Sequence, residues 1–123
     1  MNHRIIHFEI PSDHPSTAIT FFETVFNWKF SQFGEEPYWF INTGDTSEEG
    51  INGGLIQKRD PNQPLTNSIH TENIDETLLK ISASGGEVVV PKFAIPGMGW
   101  AAYFKDPDGN IFGLHQADNN ANK

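Results

Sequence analysis

The chain has 123 residues, enough for one ordinary domain, and its 37% apolar and 12% aromatic residues can form a packed core. Acidic residues outnumber basic ones by 16 to 8, so the net charge of −8 disfavours binding to nucleic acid or to an anionic membrane surface. The absence of cysteine excludes disulfides and thiol catalysis and suits a cytoplasmic protein, and no apolar run approaches the roughly 20 residues of a membrane span.

The first predicted element is a strand over residues 5–10, along which polarity alternates. His7 and Glu9 are expected on one face of this strand, and three apolar side chains on the other.

A helix is expected next, because apolar residues recur at helical spacing between residues 18 and 26. Ser12 or Asp13 would cap its start, with Pro15 in the first turn, and Asn27 would end it in the left-handed conformation. Three strand-like runs follow, separated by turns, at residues 28–33, 38–42 and 51–57.

The second half of the chain repeats this order of elements. A strand at residues 65–71 precedes a helix that is marked by Ile74, Leu78 and Ile81 and ended by the glycines at 85–86. Three more strands are expected at residues 87–90, 100–104 and 111–115.

This repetition predicts an α+β fold with two βαβββ modules, at about residues 4–58 and 65–116 of one domain spanning residues 1–123. We expect their curved mixed sheets to form a ligand cleft, with the helices outside. The polar tail at residues 117–123 is expected to fray.

Several motifs, taken in their order, resemble a known superfamily. His7-Phe8-Glu9-Ile10 resembles its opening strand, and Phe21-Phe22 with Val25-Phe26-Asn27-Trp28 resembles the end of its first helix. Gly85-Gly86-Glu87-Val88 resembles the segment after its second helix. Asp106-Pro107-Asp108-Gly109-Asn110 resembles its C-terminal hairpin. Over roughly residues 5–116, the chain is similar to the glyoxalase/bleomycin-resistance/dioxygenase (vicinal oxygen chelate) superfamily, in particular to the branch related to lactoylglutathione lyase.

The resemblance implies a divalent-metal site with four ligand positions, of which this chain fills one. His7 falls at the first position, and the others fall at Gly53–Gly54, at about Thr66 and at Gly113, none of which offers a His or Glu side chain. We therefore expect no metal cofactor. A displaced divalent-metal site would have to use His7, Glu9, His70 and His115.

Strand alternation directs polar or small residues towards the expected cleft. His7 and Glu9 are the candidate catalytic residues, as an acid–base pair. Trp39 or Tyr38 is a candidate aromatic wall. The candidate ligand-binding residues are His70, Trp100, Phe104, Gly113 and His115.

The expected function is binding of a small organic molecule in the cleft, as a divergent lyase or isomerase with a degenerate metal site; whether the protein is an enzyme stays open. One alternative is a resistance protein that sequesters an antibiotic without turnover, whose cationic ligand the acidic charge would suit. Another is a metal-dependent lyase or dioxygenase that uses the displaced ligands. The resemblance also implies a homodimer.

Overall fold

The computed structural model describes residues 2–122, and within them the repeated βαβββ order and the α+β class are confirmed. Met1 and Lys123, the ends of the predicted domain, lie outside the described residues. In chain order the elements are β1 (Ile5–Ser12), α1 (Pro15–Phe26), β2 (Lys29–Gln32), β3 (Tyr38–Asn42), β4 (Gly53–Gln57), β5 (Thr66–His70), α2 (Ile74–Ala83), β6 (Glu87–Ile95), β7 (Gly99–Lys105) and β8 (Ile111–Ala117). Between residues 2 and 122, no helix is long and apolar enough to cross a membrane.

Residues 7–65 form one compact unit, whose strands lie in the order β2-β3-β4-β1. The β1 and β4 strands are parallel, with Phe8 opposite Gly53, whereas β3 is antiparallel to both of its neighbours. The α1 side of this mixed sheet is aromatic: Phe8 contacts Trp28, and Trp28 stacks on Phe22 of α1 at a centroid distance of 4.9 Å.

The two ends of α1 differ in how well the sequence predicts them. Asn27 has the expected left-handed conformation, with φ of 62°, and its backbone N–H bonds to the carbonyl of Glu23. The predicted cap at Ser12 or Asp13 is wrong, because His14 holds the N-cap position and provides no side-chain cap hydrogen bond. The hydroxyl of Ser12 instead accepts from the backbone N–H of His14, which is a local turn interaction that competes with capping.

The second compact unit contains residues 2–6 and 66–122. Its strands lie in the order β5-β8-β7-β6, with β5 parallel to β8 and the other pairs antiparallel. Residues 2–6 group here because the backbone of His70 bonds to the N–H of His3 at 2.6 Å and to the carbonyl of Arg4 at 2.8 Å. The predicted first module, which begins at residue 4, therefore includes residues that pack with the second unit.

The helix α2 covers one face of this second sheet. Asn73 caps it by accepting from the N–H of Glu76 at 3.0 Å, which satisfies one of the free amides of the first turn. Ile74 at the start of α2 forms a buried core with Ala102, Phe104 and Leu114 of the sheet, none of them more than 9% exposed.

The strand β6 is longer than predicted. It continues past Val90 to Ile95, and its pairing with β7 shifts register between Val88 and Val90 and again between Val90 and Phe93. Pro91 lies within the second shift, as expected of a residue without an N–H, since proline in a strand is confined to edges and bulges. The sequence pattern predicted that the strand ends before this proline. The strand continues because β6 is a bulged edge strand, in which proline fits.

The C-terminal segment is packed, so the predicted fraying is wrong for residues 117–122. The carboxylate of Asp118 accepts from the indole N–H of Trp100 at 3.1 Å, and the backbone N–H of Asp118 bonds to Met98. Ala121 is only 3% exposed and accepts a backbone hydrogen bond from Gly97. The hydrogen bond from Trp100 to the Asp118 side chain thus helps to hold a segment whose polar composition had predicted a frayed tail.

The hairpin between β7 and β8 follows the turn chemistry of its motif. Asp106 accepts from the backbone N–H groups of Asp108 and Asn110 at 2.9 Å, and Gly109 has a positive φ of 88°. The side chain of Asn110, and then backbone amides, lower the pKa of the exposed Asp106 carboxyl by bonding to its charged form. The motif is therefore explained by the turn that it makes.

Shortening Leu55 to alanine should destabilise the protein strongly. Leu55 is 0% exposed, so Leu55→Ala removes buried methyl groups and leaves a cavity, which costs about 2–5 kcal/mol in the free energy of unfolding. Leu79 on α2, 73% exposed, is the matched control, and Leu79→Ala should change stability little. Urea unfolding measures both variants, and equal losses would contradict the described packing.

Candidate functional site

The face of the first sheet that lies opposite α1 carries polar side chains. Phe8 points towards the helix side, so its neighbours His7 and Glu9 point to the other face. Glu9 is the partner of Gly54 on β4, and Gly54 is the partner of Phe40 on β3, so these residues share that face. Tyr38, two residues before Phe40, lies there too.

Gly54 makes room for the phenol of Tyr38. A β-carbon at Gly54 would overlap the hydroxyl and ring of Tyr38, so this close approach requires glycine. The Tyr38 hydroxyl lies 3.0 Å from Nε2 of His7, within hydrogen-bond distance. The space beside Gly54 is therefore filled by a phenol that lies within hydrogen-bond distance of the His7 imidazole.

The environment of Tyr38 keeps its hydroxyl protonated. Burial raises the pKa of the phenol far above its ordinary value, and the negative charge of Glu9 raises it further. The charge of Glu9 therefore acts on Tyr38, and the acid–base pairing of Glu9 with His7 stays a prediction. Tyr38 was named from the sequence only as one of two candidate walls. The pairing of β3 with β4, and the glycine that lies beside the Tyr38 ring, would have identified Tyr38 as a site residue. Neither can be known until the register of the strands is known.

In the second unit, small and polar residues also share the face away from the helix. The strand register sets His70 beside His115 and Ser68 beside Gly113 on the parallel strands β5 and β8. A β-carbon at Gly113 would lie 2.7 Å from Oγ of Ser68, so the serine hydroxyl occupies that space. The shared cleft predicted for these residues together with His7 and Glu9 stays a prediction.

The two imidazoles of this pair lie in partly buried surroundings. Burial, and then the neighbouring His70, lower the pKa of His115, which favours its neutral form. Nδ1 of His70 and Oγ1 of Thr66 are buried without a protein hydrogen-bond partner, an arrangement that native structures normally satisfy with water or a ligand. An open depression of about 430 Å³ adjoins His70, and its other lining residues are Thr71, Glu72, Gln116 and Ala117.

Trp100 and Phe104 lie on the opposite, helix side of the same sheet. Phe104 is 9% exposed and stacks on Phe112 at 5.7 Å, and Trp100 packs against the same core. A ligand on the His115 face would meet Tyr103 instead, because Tyr103 pairs with Gly113. The two residues of β7 that were predicted as aromatic walls thus lie on the other face of the sheet. The prediction chose the wrong face because β7 carries aromatic residues on both of its faces.

The side chains present do not make up a metal centre. Within residues 2–122, no three His, Cys, Asp or Glu side chains stand close enough together to hold a metal ion. At Gly54 and Gly113, where the resemblance implied two of the ligands, the space beside the backbone is taken by the hydroxyls of Tyr38 and Ser68. No step through a metal is therefore derived for the site.

Adding one methyl group at Gly54 should displace the phenol. The backbone of Gly54 is not left-handed, so Gly54→Ala introduces only the overlap with Tyr38; we expect loss of the bond to His7 and a destabilisation of about 1–3 kcal/mol. Gly44→Ala is the control, because its β-carbon would meet Glu48 at an ordinary 3.6 Å. Urea unfolding and the NMR signals of the His7 ring measure the effect. An unchanged His7 signal in Gly54→Ala would contradict the arrangement.

The lowered pKa of His115 makes stability depend on pH. Below the unfolded-state pKa of about 6.5, the unfolded chain binds a proton at His115 that the folded chain does not. Stability is therefore greatest above that pH and is lost as pH falls towards the folded-state pKa. His115→Gln should flatten this dependence between about pH 7 and pH 5 in urea unfolding. Equal slopes in the two proteins would exclude the effect.

Known proteins resemble this chain in sequence. The model of the Glyoxalase/Bleomycin resistance protein/Dioxygenase superfamily matches residues 4–114. The chain is 29% identical over 111 residues to "Putative glyoxylase CFP32" of Mycobacterium tuberculosis, a match that covers 86% of this chain and 41% of that protein. The chain thus spans about two fifths of the length of this curated relative.

Solved structures share the fold at low sequence identity. A variant of Streptomyces coelicolor methylmalonyl-CoA epimerase, in complex with 2-nitronate-propionyl-CoA, superposes with a TM-score of 0.69 at 14% identity, over 100% of both chains. A superfamily member from Vibrio splendidus has a TM-score of 0.64 at 14% identity, over 94% of this chain and 99% of the other. The family match over residues 4–114, together with this fold, shows that the chain belongs to the glyoxalase/bleomycin-resistance/dioxygenase superfamily.

Proposed function

We propose that the chain binds a small organic molecule at the polar face that carries His7, Tyr38 and Glu9, and that it does so without a metal ion. The observation that carries this proposal is the 3.0 Å hydrogen bond between Nε2 of His7 and the hydroxyl of Tyr38. A potential base, the imidazole, and a hydrogen-bond donor, the hydroxyl, lie side by side there. The hydroxyl can bind a ligand oxygen while the imidazole accepts a proton from a neighbouring ligand atom.

The phenol supplies a neutral hydrogen-bond donor. Because burial and the charge of Glu9 raise the pKa of Tyr38, its hydroxyl stays protonated across the physiological pH range. A fixed neutral donor in a partly buried site stabilises a carbonyl oxygen and, more strongly, an oxyanion that forms from it. We therefore assign to Tyr38 the role of binding the ligand oxygen.

The imidazole supplies the proton acceptor. When Tyr38 donates to Nε2 of His7, the ring proton lies on Nδ1, and Nε2 is the atom that accepts a proton when a ligand oxygen takes over the phenol's hydrogen bond. Removal of a proton beside a carbonyl is the step that this pair suits. In this proposal, His7 is the base of a divergent lyase or isomerase, and Glu9 is a positioning residue that keeps the phenol neutral.

Charge restricts the ligand class. Glu9 acts on the same site as Tyr38, and the whole chain carries a net charge of −8. An anionic group placed next to this carboxylate would be repelled, whereas a neutral or cationic ligand would not. The proposal therefore favours neutral carbonyl compounds over carboxylates.

The relatives support the same kind of chemistry. The Streptomyces coelicolor protein is named a methylmalonyl-CoA epimerase and the mycobacterial relative is named "Putative glyoxylase CFP32", and both names fit the proposed lyase or isomerase class. This chain lacks three of the four residues expected at the family metal positions, so its activity would depend on the His7–Tyr38 pair instead.

Thermal-shift measurements test the proposal with two probes of equal size, the neutral pyruvamide and the anionic pyruvate. We expect pyruvamide to raise the unfolding temperature more than pyruvate does, and the shift to be lost in Tyr38→Phe and His7→Gln because each removes one partner of the hydrogen bond. His14→Gln, at an exposed position outside the pair, is the matched control and should keep the shift.

Two outcomes would overturn the proposal. Elemental analysis that finds stoichiometric metal in protein purified without chelator, lost in His7→Gln, would support the metal-dependent alternative. A shift with a cationic glycopeptide such as bleomycin, with none for pyruvamide, would support the sequestering alternative.

A further inference from the structure

Two aromatic rings lie together on the face of the second sheet that points away from α2. Phe93 of β6 and Tyr103 of β7 have ring centroids 6.3 Å apart and ring planes only 19° from parallel. Phe93 is opposite Ala101, which lies two residues before Tyr103 on β7, so the two rings share one face. Phe104 instead points into the buried core. Because Phe93 is still 37% exposed, the pair offers aromatic surface to a ligand.

At Gly113, no side chain of the intervening strand β8 separates the ring of Tyr103 from Ser68 of β5. Gly113 is opposite both of these residues. A β-carbon at Gly113 would lie 2.7 Å from Oγ of Ser68 and 3.5 Å from Cε1 of Tyr103, so the hydroxyl and the ring approach the same point from the two neighbouring strands. The serine hydroxyl therefore lies at the edge of the aromatic surface.

Polar atoms without a protein partner lie on either side of this hydroxyl along β5. Thr66, Ser68 and His70 are spaced two residues apart in the strand and so project from one face. Thr66 is only 4% exposed, yet its Oγ1 and the buried Nδ1 of His70 have no hydrogen-bond partner among residues 2–122. Native proteins normally satisfy such buried groups through protein, water or a ligand, so this strand retains the capacity to bind polar atoms.

The imidazole of His115 adds a neutral donor and acceptor. His115 is opposite both His70 and Ala101, so it lies on the same face. Burial, and then the neighbouring His70, lower the pKa of His115, so its ring is neutral at neutral pH and its two nitrogens are one donor and one acceptor. Such a ring suits a neutral polar group and offers no positive charge to an anion.

The spacing of the strands sets the size of a ligand that reaches both the rings and the polar groups. The strands β5 and β7 flank β8, and neighbouring strands lie about 4.8 Å apart, so the backbones of β5 and β7 are separated by about 10 Å. Two fused six-membered rings span most of that distance, whereas a single ring does not. A rigid planar ligand also loses little conformational entropy on binding.

We infer that this face of the second sheet binds a neutral, planar, bicyclic heteroaromatic molecule. One ring of the ligand stacks on the Phe93–Tyr103 pair, because aromatic rings favour offset parallel contacts. The polar edge of the other ring, a carbonyl oxygen with the adjacent N–H, bonds to Ser68 and His115. The site consists of residues of the second unit alone and does not depend on the His7–Tyr38 pair.

Isothermal titration calorimetry of the full chain with quinazolin-4-one, a neutral two-ring amide, tests this site. We expect a dissociation constant on the order of 100 µM, which is ordinary for so small a ligand. Tyr103→Leu and Phe93→Leu should each weaken binding about threefold to tenfold, because each removes one stacking partner. Phe26→Leu, at a 55% exposed position on α1, is the matched control and should leave the affinity unchanged. Circular dichroism checks that each variant is folded.

A second probe and Ser68→Ala test the polar edge of the site. Quinoxaline has the same two-ring shape but no carbonyl or N–H, so it should bind more weakly than quinazolin-4-one, and Ser68→Ala should weaken the binding of quinazolin-4-one only. The amide NMR signals of Ala101 and Gly113 should shift when quinazolin-4-one is added, which locates the ligand without a weakened variant.

Three results would each overturn the inference. The first is that quinazolin-4-one at millimolar concentration neither releases heat nor shifts the Gly113 signal. The second is that Tyr103→Leu and Phe93→Leu bind it as tightly as Phe26→Leu does. The third is that Tyr38→Phe abolishes binding while Tyr103→Leu does not, which would assign the ligand to the His7 face.

Discussion

The arrangement of the candidate site depends on one steric constraint, the lack of a side chain at Gly54. Because no β-carbon stands there, the phenol of Tyr38 can lie over β4 with its hydroxyl 3.0 Å from His7. Burial of the phenol follows from this close packing, and burial is the larger cause of its raised pKa. The hydrogen bond, the protonation state and the coupling to Glu9 therefore all follow from one glycine.

The sequence predicted the fold well because period-two and period-3.6 patterns are local. The alternation around His7 and the end of α1 at Asn27 were both correct for that reason. The contents of the site were harder to predict, because they depend on register between strands that are distant in the chain. Tyr38 gains its role only through its neighbours Gly54 and His7, and the phase of Trp100 is decided by pairing with β8.

The two units repeat one plan of elements but treat their helices differently. Charged residues on α2 face water while Ile74 at its start is buried in a continuous core. The α1 helix instead stacks Phe22 on a partly exposed Trp28 and keeps Phe21 in water. A repeated βαβββ order therefore does not imply repeated surfaces, because local patterns set the order of elements whereas the exposed side chains of each helix differ.

Under the proposed function, a phenol does the work that the resemblance would assign to a metal ion, and this limits what the site can do. A bound divalent ion stabilises a developing oxyanion by several kcal/mol through its full charge. A neutral hydroxyl donor is worth about 3–4 kcal/mol at most in such a role, and about 1 kcal/mol in simple binding. In this proposal, the His7–Tyr38 pair stabilises a difficult proton transfer less than a metal ion would, and we expect its substrates to carry an already acidic proton beside a carbonyl. Glu9 adds to this restriction, because its negative charge opposes a second negative charge on the ligand. The same charge raises the pKa of the Tyr38 phenol, so that the phenol stays neutral.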